Sequence, residues 1–545
     1  MISTFIMGMT AWDRTTVHCV HALTLCCYEL PESLKRDLAR IVGQMSTIVT
    51  KSDAAVHVLE FLTGLSRLKD LAKTFHGEEI KTVFGVCFSY IEYVRGKRFD
   101  DLQQQRKSTP VNRNTATPVE IATSRSATVD IPQYVFAMAY HVIIFWYISV
   151  RDEDRDKYFP WMQHRLLSTD QAGKREDQAL VTLDLVWRMT RRNIRSTSLL
   201  RPDPAPEGAV AWTSPFSLIT VSINSNEHVA QVVERRASGT DEWSIPMTGT
   251  QSPEQIFDEH LRAPADRPFP SGWDPSPLIE SDASKRAINM LDRVSPVDFF
   301  KAGVMYIGED QTTEADILAN LMGSADYRLM LDGLGVKLPL LGLQHNTCGL
   351  DTSEAQTDGT KTIWHRGGVT ALVYHVSTMM PTNLEFDPQC TRKKAHIGND
   401  YVNIIFNNSG SAFDFSRLNS LIPSAFNYVY VVVAPEARAT FIETRTHQHQ
   451  EGWFENSWFK VQVLTRQDFP NISSAAETKV VSGGVLAKYV RNLALNACVF
   501  ANVWANREGG DTPSSWRARL AQLRMLKERF GKKEEETERK SEDTK

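Results

Sequence analysis

The chain has 545 residues, 42% of them hydrophobic and 23% charged, and its 61 Lys plus Arg against 65 Asp plus Glu give a formal net charge of −4. The composition is that of a folded globular protein, and the length predicts about three or four domains. The charge balance lacks the positive excess that binding to a nucleic-acid backbone usually needs, so nucleic acid is not expected as a main partner.

The cysteines and the first residues indicate the compartment. Seven cysteines are present and none forms a C-x-x-C pair: Cys19, Cys26, Cys27, Cys87, Cys348, Cys390 and Cys498. This pattern excludes zinc-finger and redox motifs and favours a reduced, cytosolic protein. The short apolar stretch at residues 5–9 has no basic residue before it and is unlike a secretory signal.

The first 200 residues are predicted to be helical. Apolar residues recur at helical spacing from about 11 to 98 and again at 132–192, which is typical of amphipathic helices in a repeat-like array. Residues 103–129 are polar and rich in Ser and Thr, so we expect a mobile linker there. The apolar run 134–150 is near membrane-spanning length, but a single run without a partner favours a buried helix over a membrane span.

A different pattern begins after the Pro-rich stretch 201–209. Residues 216–223 alternate in polarity with a period of two, which predicts strands. A second loop-rich stretch at 262–284 ends this part of the chain. Residues 201–284 are therefore predicted to form a small β-rich α/β subdomain.

The third region, residues 285–531, mixes strands and helices. The predicted elements are strands at 300–307, 369–378, 401–407, 427–434 and 458–465, and helices at about 313–334, 474–505 and 514–530. Thr312 or Thr313 is suited to cap the first of these helices, and Gly333 and Gly335 are suited to a left-handed turn at its end.

These segments together predict a multidomain α and α/β protein. The order is a helical repeat-like region at 1–200, the β-rich subdomain at 201–284, an α/β domain at 285–531 and a tail at 532–545. The tail is almost entirely charged and is expected to be disordered.

The usual catalytic motifs are absent from the sequence. It contains no G-x-x-x-x-G-K-[ST], no G-x-G-x-x-G after a strand, no G-x-S-x-G and no H-E-x-x-H. A metal-like cluster, His447, His449 and Glu451, would face one side of a strand. Because it lacks further ligands at recognisable spacing, a solvated strand end is the better interpretation and no metal site is predicted.

One segment, residues 393–407, carries a polar and basic stretch directly into a buried strand pattern. Gly398 is predicted to end a short helix, which leaves the amide of Asn399 free to project at the junction. Taken alone, the residues favour a simpler interpretation, in which Asn399 caps the helix. Lys393, Lys394 and His396 are equally compatible with a solvated basic turn.

The stretch KKAHIGNDYVNIIFNNSG resembles the catalytic signature of the Rap and tuberin type of GTPase-activating proteins. Further matches follow the family order: VMYIGE, LDGLG, TALVYHVSTMMPT, FNYVYVVVAP and SSWRARLAQLRMLKERF. Upstream, LTLCCYELP, AVHVLEFLTGLSRLKDL and YVFAMAYHVIIFW resemble the helical segment of the tuberin branch. The resemblance covers most of the chain apart from the linkers and the tail.

The resemblance implies a GTPase-like α/β catalytic domain without a nucleotide site of its own. It also implies that the β-rich subdomain stands where the family has its dimerisation subdomain. Asn399 then matches the family's asparagine thumb, a catalytic residue supplied to the GTPase. A neutral amide suits this task, because its oxygen accepts from the attacking water while its NH₂ donates to a phosphate oxygen.

Other residues receive roles by the same resemblance. Those that would support Asn399 beside the docked nucleotide or the GTPase surface are Lys393, Lys394, His396, Gly398 and Asp400. Asn407 is expected to be a structural amide that ties neighbouring loops. Arg519 lies in the matched W-R-A-R-L helix and is expected to serve packing rather than docking.

The implied partner is the small GTPase Rheb, or a Rap protein, with GTP and Mg²⁺ bound to that partner and no cofactor in this chain. The implied process is negative regulation of TOR signalling, in the cytoplasm and peripherally on endomembranes such as the lysosome. Hamartin would bind parts of the family protein that are mostly missing here, so we treat Met1 as the start of a piece of a longer protein. The alternative is a non-catalytic scaffold or GTPase-binding module.

Overall fold

The computed structural model describes residues 1–10, 15–49, 52–107, 118–169, 173, 175–192, 198–199, 201–224, 226–247, 249–262, 268–269, 274–436, 452–507 and 514–532. Three features predicted from the sequence lie partly or wholly outside these residues. They are the cluster of His447, His449 and Glu451, the middle of the predicted linker at 108–117, and the charged tail from 533 onward.

The chain begins with eight helices: α1 (Ile2–Gly8), α2 (Thr16–Glu29), α3 (Pro31–Leu34), α4 (Leu38–Thr47), α5 (Ser52–Arg67), α6 (Lys69–Ala72), α7 (Glu78–Lys107) and α8 (Pro118–Ser149). Helices α5 and α8 pack together, and the Trp146 indole donates to the Leu62 carbonyl (2.9 Å). The linker expected at 103–129 is helical at its two flanks, because α7 runs on to Lys107 and α8 already starts at Pro118, and its mobility stays a prediction. Helix propagation from a packed segment needs little further stabilisation.

Helix α8 contains the apolar run that approaches membrane-spanning length. Residues Ile131–Ser149 are long and apolar enough to cross a bilayer, the single such stretch among the described residues, and most of them are buried in the protein. Large side chains such as Tyr134, Tyr140 and Trp146 are almost fully buried. This is the packing of a core helix, as the sequence predicts.

The next elements are α9 (Asp152–Leu166), α10 (Asp177–Arg191), β1 (Val210–Thr213), β2 (Ser217–Asn224), β3 (Val229–Arg236), β4 (Gly239–Pro246), α11 (Pro253–Ile256), β5 (Ser276–Pro277) and α12 (Asp282–Arg293). The strands form an antiparallel sheet in the order β4-β3-β2-β1-β5. One face carries a core in which Trp212 stacks on Phe257 (4.0 Å between ring centroids).

The remaining elements are β6 (Asp298–Ile307), α13 (Glu314–Ala319), α14 (Ala325–Leu334), β7 (Val336–Pro339), β8 (Lys361–Gly367), β9 (Thr370–Val376), α15 (Thr391–Ile397), β10 (Val402–Asn407), α16 (Phe415–Leu421), β11 (Val429–Pro435), β12 (Trp458–Thr465), β13 (Lys479–Ser482), α17 (Gly483–Ala505) and α18 (Ser515–Phe530). The strands form one mixed sheet in the order β13-β12-β11-β10-β6-β9-β8-β7. Strand β10 pairs in parallel with both β6 and β11 and is buried along its whole length. The predicted α/β class is confirmed.

Three details of the predicted α/β domain are wrong. The helix expected at about 474–505 begins only at Gly483, because Lys479–Ser482 form strand β13. The helix expected over 313–334 is two helices, because α13 ends at Ala319 and α14 restarts with the Ser324 hydroxyl accepting from the Tyr327 amide. The Thr313 hydroxyl does cap α13. Gly335 is extended rather than left-handed, and its lack of a side chain instead leaves room for the Trp364 carbonyl.

The elements group into two compact units. One combines Met1–Ser149 with Phe299–Thr512, and the other combines Val150–Asp298 with Pro513–Lys545. Helices α9, α10 and α18 therefore belong to the unit of the five-stranded sheet. The boundaries predicted after residues 200 and 284 stay predictions.

Candidate functional site

The predicted signature begins in helix α15 and continues through a turn into strand β10 of the mixed sheet. The helix starts after Cys390, which adopts a left-handed conformation (φ 48°). The Asp387 carboxylate accepts from the backbone amides of Thr391 (2.8 Å) and Arg392 (3.2 Å), and these hydrogen bonds lower the pKa of Asp387. A carboxylate in this position stabilises the start of the helix by satisfying free N–H groups.

Asn399 lies in the turn between α15 and β10, and its side chain is exposed. Its Nδ2 donates to the Ala395 carbonyl (2.7 Å), and its backbone amide donates to the His396 carbonyl (3.1 Å). Gly398 ends the helix as predicted, although with φ −70° rather than a left-handed conformation. The Nδ2 bond caps the end of α15, which agrees with the simpler interpretation of Asn399, and the rest of the amide stays exposed at the turn.

Three side chains donate hydrogen bonds to backbone carbonyls of the turn and fix its backbone. Ser424 donates its hydroxyl to the Gly398 carbonyl. The buried Asn403 amide donates to the carbonyls of Ile397 and Asp400 (3.4 Å each). Asn427, in the orientation that satisfies both ends of its amide, also donates to the Asp400 carbonyl (2.8 Å).

Asp400 is the anchor of the turn and faces inward. Its carboxylate is fully buried, with Oδ2 2.9 Å from the His375 Nδ1 and Oδ1 3.2 Å from the Lys301 Nζ. Strands β6 and β10 are parallel with Gly303 opposite Asn403, so Lys301 and Asp400 reach the same edge of the sheet. The structure thus differs from the prediction that Asp400 supports a nucleotide-facing surface, since the carboxylate has no exposed area.

Lys393 also differs from its prediction. Its side chain is only 2% exposed, and its ammonium donates to the carbonyls of Leu318 (2.8 Å) and Asn320 (3.3 Å) at the end of α13. Burial lowers the pKa of Lys393 to about 8. Lys393 and Ile397 are four residues apart and share the inward face of α15, which explains why this lysine is buried.

Lys394 and His396 lie on more accessible faces of α15. The Lys394 ammonium pairs with the Glu314 carboxylate (2.6 Å) and keeps 39% of its side chain exposed. His396 Nε2 lies 3.0 Å from Asp358 Oδ1, and Arg392 Nε lies 3.5 Å from the same oxygen. Lys394 therefore remains close to the surface of the turn, whereas His396 is held by a carboxylate from the loop before β8.

Large apolar side chains are exposed on the loops that flank the turn. Thr382 donates to the Ala319 carbonyl and Lys393 to the Asn320 carbonyl, so the loop after α13 lies beside the loop that precedes α15. Phe426 follows Ser424, which contacts the turn on its other side. The exposed side chains are Leu321, Met322, Leu384, Phe386 and Phe426. An apolar rim of this kind suits a protein surface as the partner.

Asn407 and Arg519, the two remaining predicted residues, are buried. Asn407 ends β10, and its amide binds Ser411 (Nδ2 to the carbonyl, 2.6 Å) and Ser409 (Oδ1 from the hydroxyl, 2.7 Å). Arg519 lies on α18 in the other unit, where its guanidinium donates to the carbonyls of Arg236, Leu291 and Val294 and to further groups of the β3–β4 turn. The polar side-chain atoms of both residues are hydrogen-bonded within the fold.

Comparison with known families gives two matches. Residues 317–525, which include α15 and the Asn399 turn, match the family described as Rap/ran-GAP, and residues 1–100 match the family described as Tuberin. The Tuberous sclerosis 2 protein homolog of Schizosaccharomyces pombe is 33% identical over an alignment that covers 97% of this chain and 39% of that protein. These matches identify a Rap/ran-GAP domain at 317–525 and a tuberin-type segment at 1–100 of this chain. The resemblance inferred from the sequence is confirmed.

Two further similarities concern the Rap/ran-GAP domain. The Ral GTPase-activating protein subunit alpha-1 of Rattus norvegicus is 28% identical over 40% of this chain and 10% of that protein. A solved structure, "Structure of the TSC2 GAP domain", is 48% identical and covers 38% of this chain and 100% of that chain, with a TM-score of 0.34. The chain spans about two fifths of the length of the Schizosaccharomyces pombe relative.

Sequence reasoning missed three residues of the candidate site: Lys301, Asp358 and His375. They lie far from the signature in the chain and reach it only through the sheet. No spacing rule links them to Asn399 in the sequence. The described residues contain no group of three or more His, Cys, Asp or Glu side chains that could hold a metal ion.

Proposed function

We propose that this protein stimulates GTP hydrolysis by a Ras-family small GTPase and that Asn399 is the residue supplied to the reaction. One observation carries the proposal. Asn399 presents an exposed amide on a turn whose neighbouring backbone carbonyls are bound by the buried Asn403 and the half-buried Ser424, and whose following carboxylate is bound by the buried His375.

The chemistry of GTP hydrolysis explains why such an amide is useful. A small GTPase hydrolyses GTP slowly because the attacking water is poorly held and the charge that develops on the γ-phosphate is incompletely stabilised. The amide oxygen accepts from the water and the NH₂ group donates to a phosphate oxygen, while the neutral group avoids repulsion by the phosphates. A rigidly held turn lets the amide act without reorganisation in the transition state.

The surroundings of Asn399 support a protein partner. Lys394 and Arg392 place positive charge beside the turn, which favours the approach of a GTPase carrying anionic GTP. The apolar rim defined above offers contact area for the GTPase surface around the nucleotide. GTP and Mg²⁺ belong to the partner in this proposal.

The more specific assignments rest on the similarity to tuberin. Rheb is the proposed substrate, with a Rap protein as the second, and the proposed role is negative regulation of TOR signalling at cytoplasmic endomembranes. The mixed-sheet domain is proposed to be GTPase-like, and the five-stranded sheet to stand in the position of the family's dimerisation subdomain. Hamartin binding is proposed for the longer protein only.

Single-turnover hydrolysis tests the proposal. Purified Rheb loaded with GTP is mixed with increasing amounts of this protein, and phosphate release is followed, with Rap and Ral as parallel substrates. We expect saturable acceleration with Rheb. Saturable binding to Rheb·GTP without acceleration would instead support the non-catalytic scaffold. Calorimetry with GTP or GDP alone is expected to show no binding, since the sequence lacks a phosphate-binding loop.

A further inference from the structure

His375 is a buried histidine that the proposed mechanism does not use directly. It lies near the end of β9 with no exposed area. Its Nδ1 is 2.9 Å from the Asp400 carboxylate, and its Nε2 has no hydrogen bond to any described residue. Because a carboxylate only accepts, Nδ1 carries the proton in this pair. The ring therefore makes one directed bond, and that bond goes to the residue next to Asn399.

The other contacts of Asp400 explain why this bond matters. The Lys301 ammonium pairs with the remaining carboxylate oxygen at 3.2 Å, a looser contact than the His375 bond. Strand β10 starts two residues after Asp400, and α15 ends three residues before it. The carboxylate is thus one of the side-chain anchors of the turn between α15 and β10, and it belongs to the residue that directly follows Asn399.

We propose that His375 is a positioning residue, which acts through Asp400 to hold the amide of Asn399 where the bound GTPase needs it. The inference rests on the proposed function. Without the His375 bond, a buried carboxylate loses its closest donor and the turn can shift to find another. A displacement of about 1 Å at a catalytic group can cost on the order of 10²-fold in rate. The apolar rim and Lys394 lie on other elements and remain available for the partner.

The test measures both the maximal rate and the half-saturating concentration of stimulated Rheb hydrolysis for His375→Ala and His375→Asn. Asparagine places its Nδ2 donor near the position of the histidine Nδ1. We expect His375→Ala to lower the maximal rate by about 10- to 100-fold with less than a threefold change in half-saturation. We expect His375→Asn to recover most of the rate.

Leu372→Ala is the matched control for lost stability. Leu372 lies on the same strand, is equally buried and contacts no residue of the turn through a polar group. Assays run below the melting temperature of both alanine variants. If Leu372→Ala, at a similar drop in melting temperature, lowers the maximal rate as much as His375→Ala, the role of His375 is structural and the inference is wrong.

A double-substitution cycle separates this inference from the proposed function. In the Asn399→Ala background, His375→Ala is expected to have no further effect on the residual rate, because it acts through Asn399. Full activity of Asn399→Ala overturns the proposed function itself. Loss of activity in Asn399→Ala together with full activity in His375→Ala overturns only the inference about His375.

Discussion

Asn399 and Arg519 are both polar residues of family-matched segments, yet the structure treats them in opposite ways. The Arg519 guanidinium is 2% exposed and all its nitrogens donate to groups of its own unit. Asn399 is exposed and donates one N–H of its amide to the Ala395 carbonyl, while Asn403 and Ser424 bind neighbouring backbone carbonyls of the turn. A side chain whose polar atoms are all hydrogen-bonded within the fold contributes stability. An exposed side chain on a fixed backbone can instead bind a partner.

The largest expected effect comes from placing a negative charge at the exposed position 399. Asn399→Asp keeps the shape but replaces the NH₂ donor by an acceptor beside the phosphates, so stimulated hydrolysis is expected to fall by about 10³-fold or more. Phosphate release with Rheb measures it. The matched control is Asn456→Asp, because Asn456 is also exposed and makes the same bond to the carbonyl four residues earlier (2.9 Å). Equal losses in both variants would contradict a specific role for Asn399.

The next effect concerns stability in the other unit. Arg519→Met removes the guanidinium that donates to the buried carbonyls of Arg236, Leu291 and Val294, and we expect the free energy of unfolding to fall by about 3–5 kcal/mol. Urea denaturation measures this loss. Arg529→Met, an exposed change on the same helix, is expected to stay within about 0.5 kcal/mol. A loss below about 1 kcal/mol for Arg519→Met would mean that the fold does not depend on this residue.

The third prediction concerns the pH dependence of stability, which depends on two buried histidines in the helical part of the first unit. His21 Nε2 and His57 Nδ1 are 3.0 Å apart, and burial lowers their pKa values to about 3 and about 4. The folded state therefore binds fewer protons than the unfolded state below pH 6.5. The stability that the buried neutral pair contributes to the free energy of unfolding is complete above pH 6.5 and is lost as the pH falls. We expect about 4 kcal/mol of the stability loss between pH 7 and pH 5, about 2 kcal/mol for each histidine, to disappear in a His21→Phe, His57→Leu variant. The exposed His164 supplies the control variant, His164→Ala, for the loss of a histidine as such.

The smallest effect concerns the charged flank of the turn. The Lys394 to Glu314 pair is partly exposed, so Lys394→Gln should change the free energy of unfolding by less than about 1 kcal/mol. If Lys394 assists the approach of the GTPase, the association rate with Rheb·GTP should fall a few-fold at low salt and converge with the wild type at high salt. A salt-independent change in stopped-flow association would count against this role.

The sequence predicted the strands better than the helix ends. Strands β10 and β11 are rich in Val, Ile and aromatic residues and were found within about two residues, because a largely buried strand leaves a strong local signal. The single helix expected over 313–334 failed because the turn at Asn320–Ser324 depends on capping by Ser324 and on packing of Gly323 against Tyr327. Such contacts are set by the fold rather than by local pattern.

The candidate site shows the same division. The exposed amide of Asn399 and the end of α15 at Gly398 were predicted from the signature. The burial of Lys393 was predictable in principle from its spacing to Ile397, but the basic character of the segment outweighed that signal. Lys301 and His375 could not be predicted, because only the pairing of distant strands brings them to Asp400.

The most direct test of the account is Asn399→Ala, measured by single-turnover phosphate release with Rheb and by equilibrium unfolding on the same sample. The account predicts that the stimulated rate falls by about 10³- to 10⁵-fold while the free energy of unfolding stays within about 0.5 kcal/mol of the wild type. Retention of more than about a tenth of the stimulated rate, which corresponds to about 1.4 kcal/mol, would contradict it and place the catalytic group elsewhere.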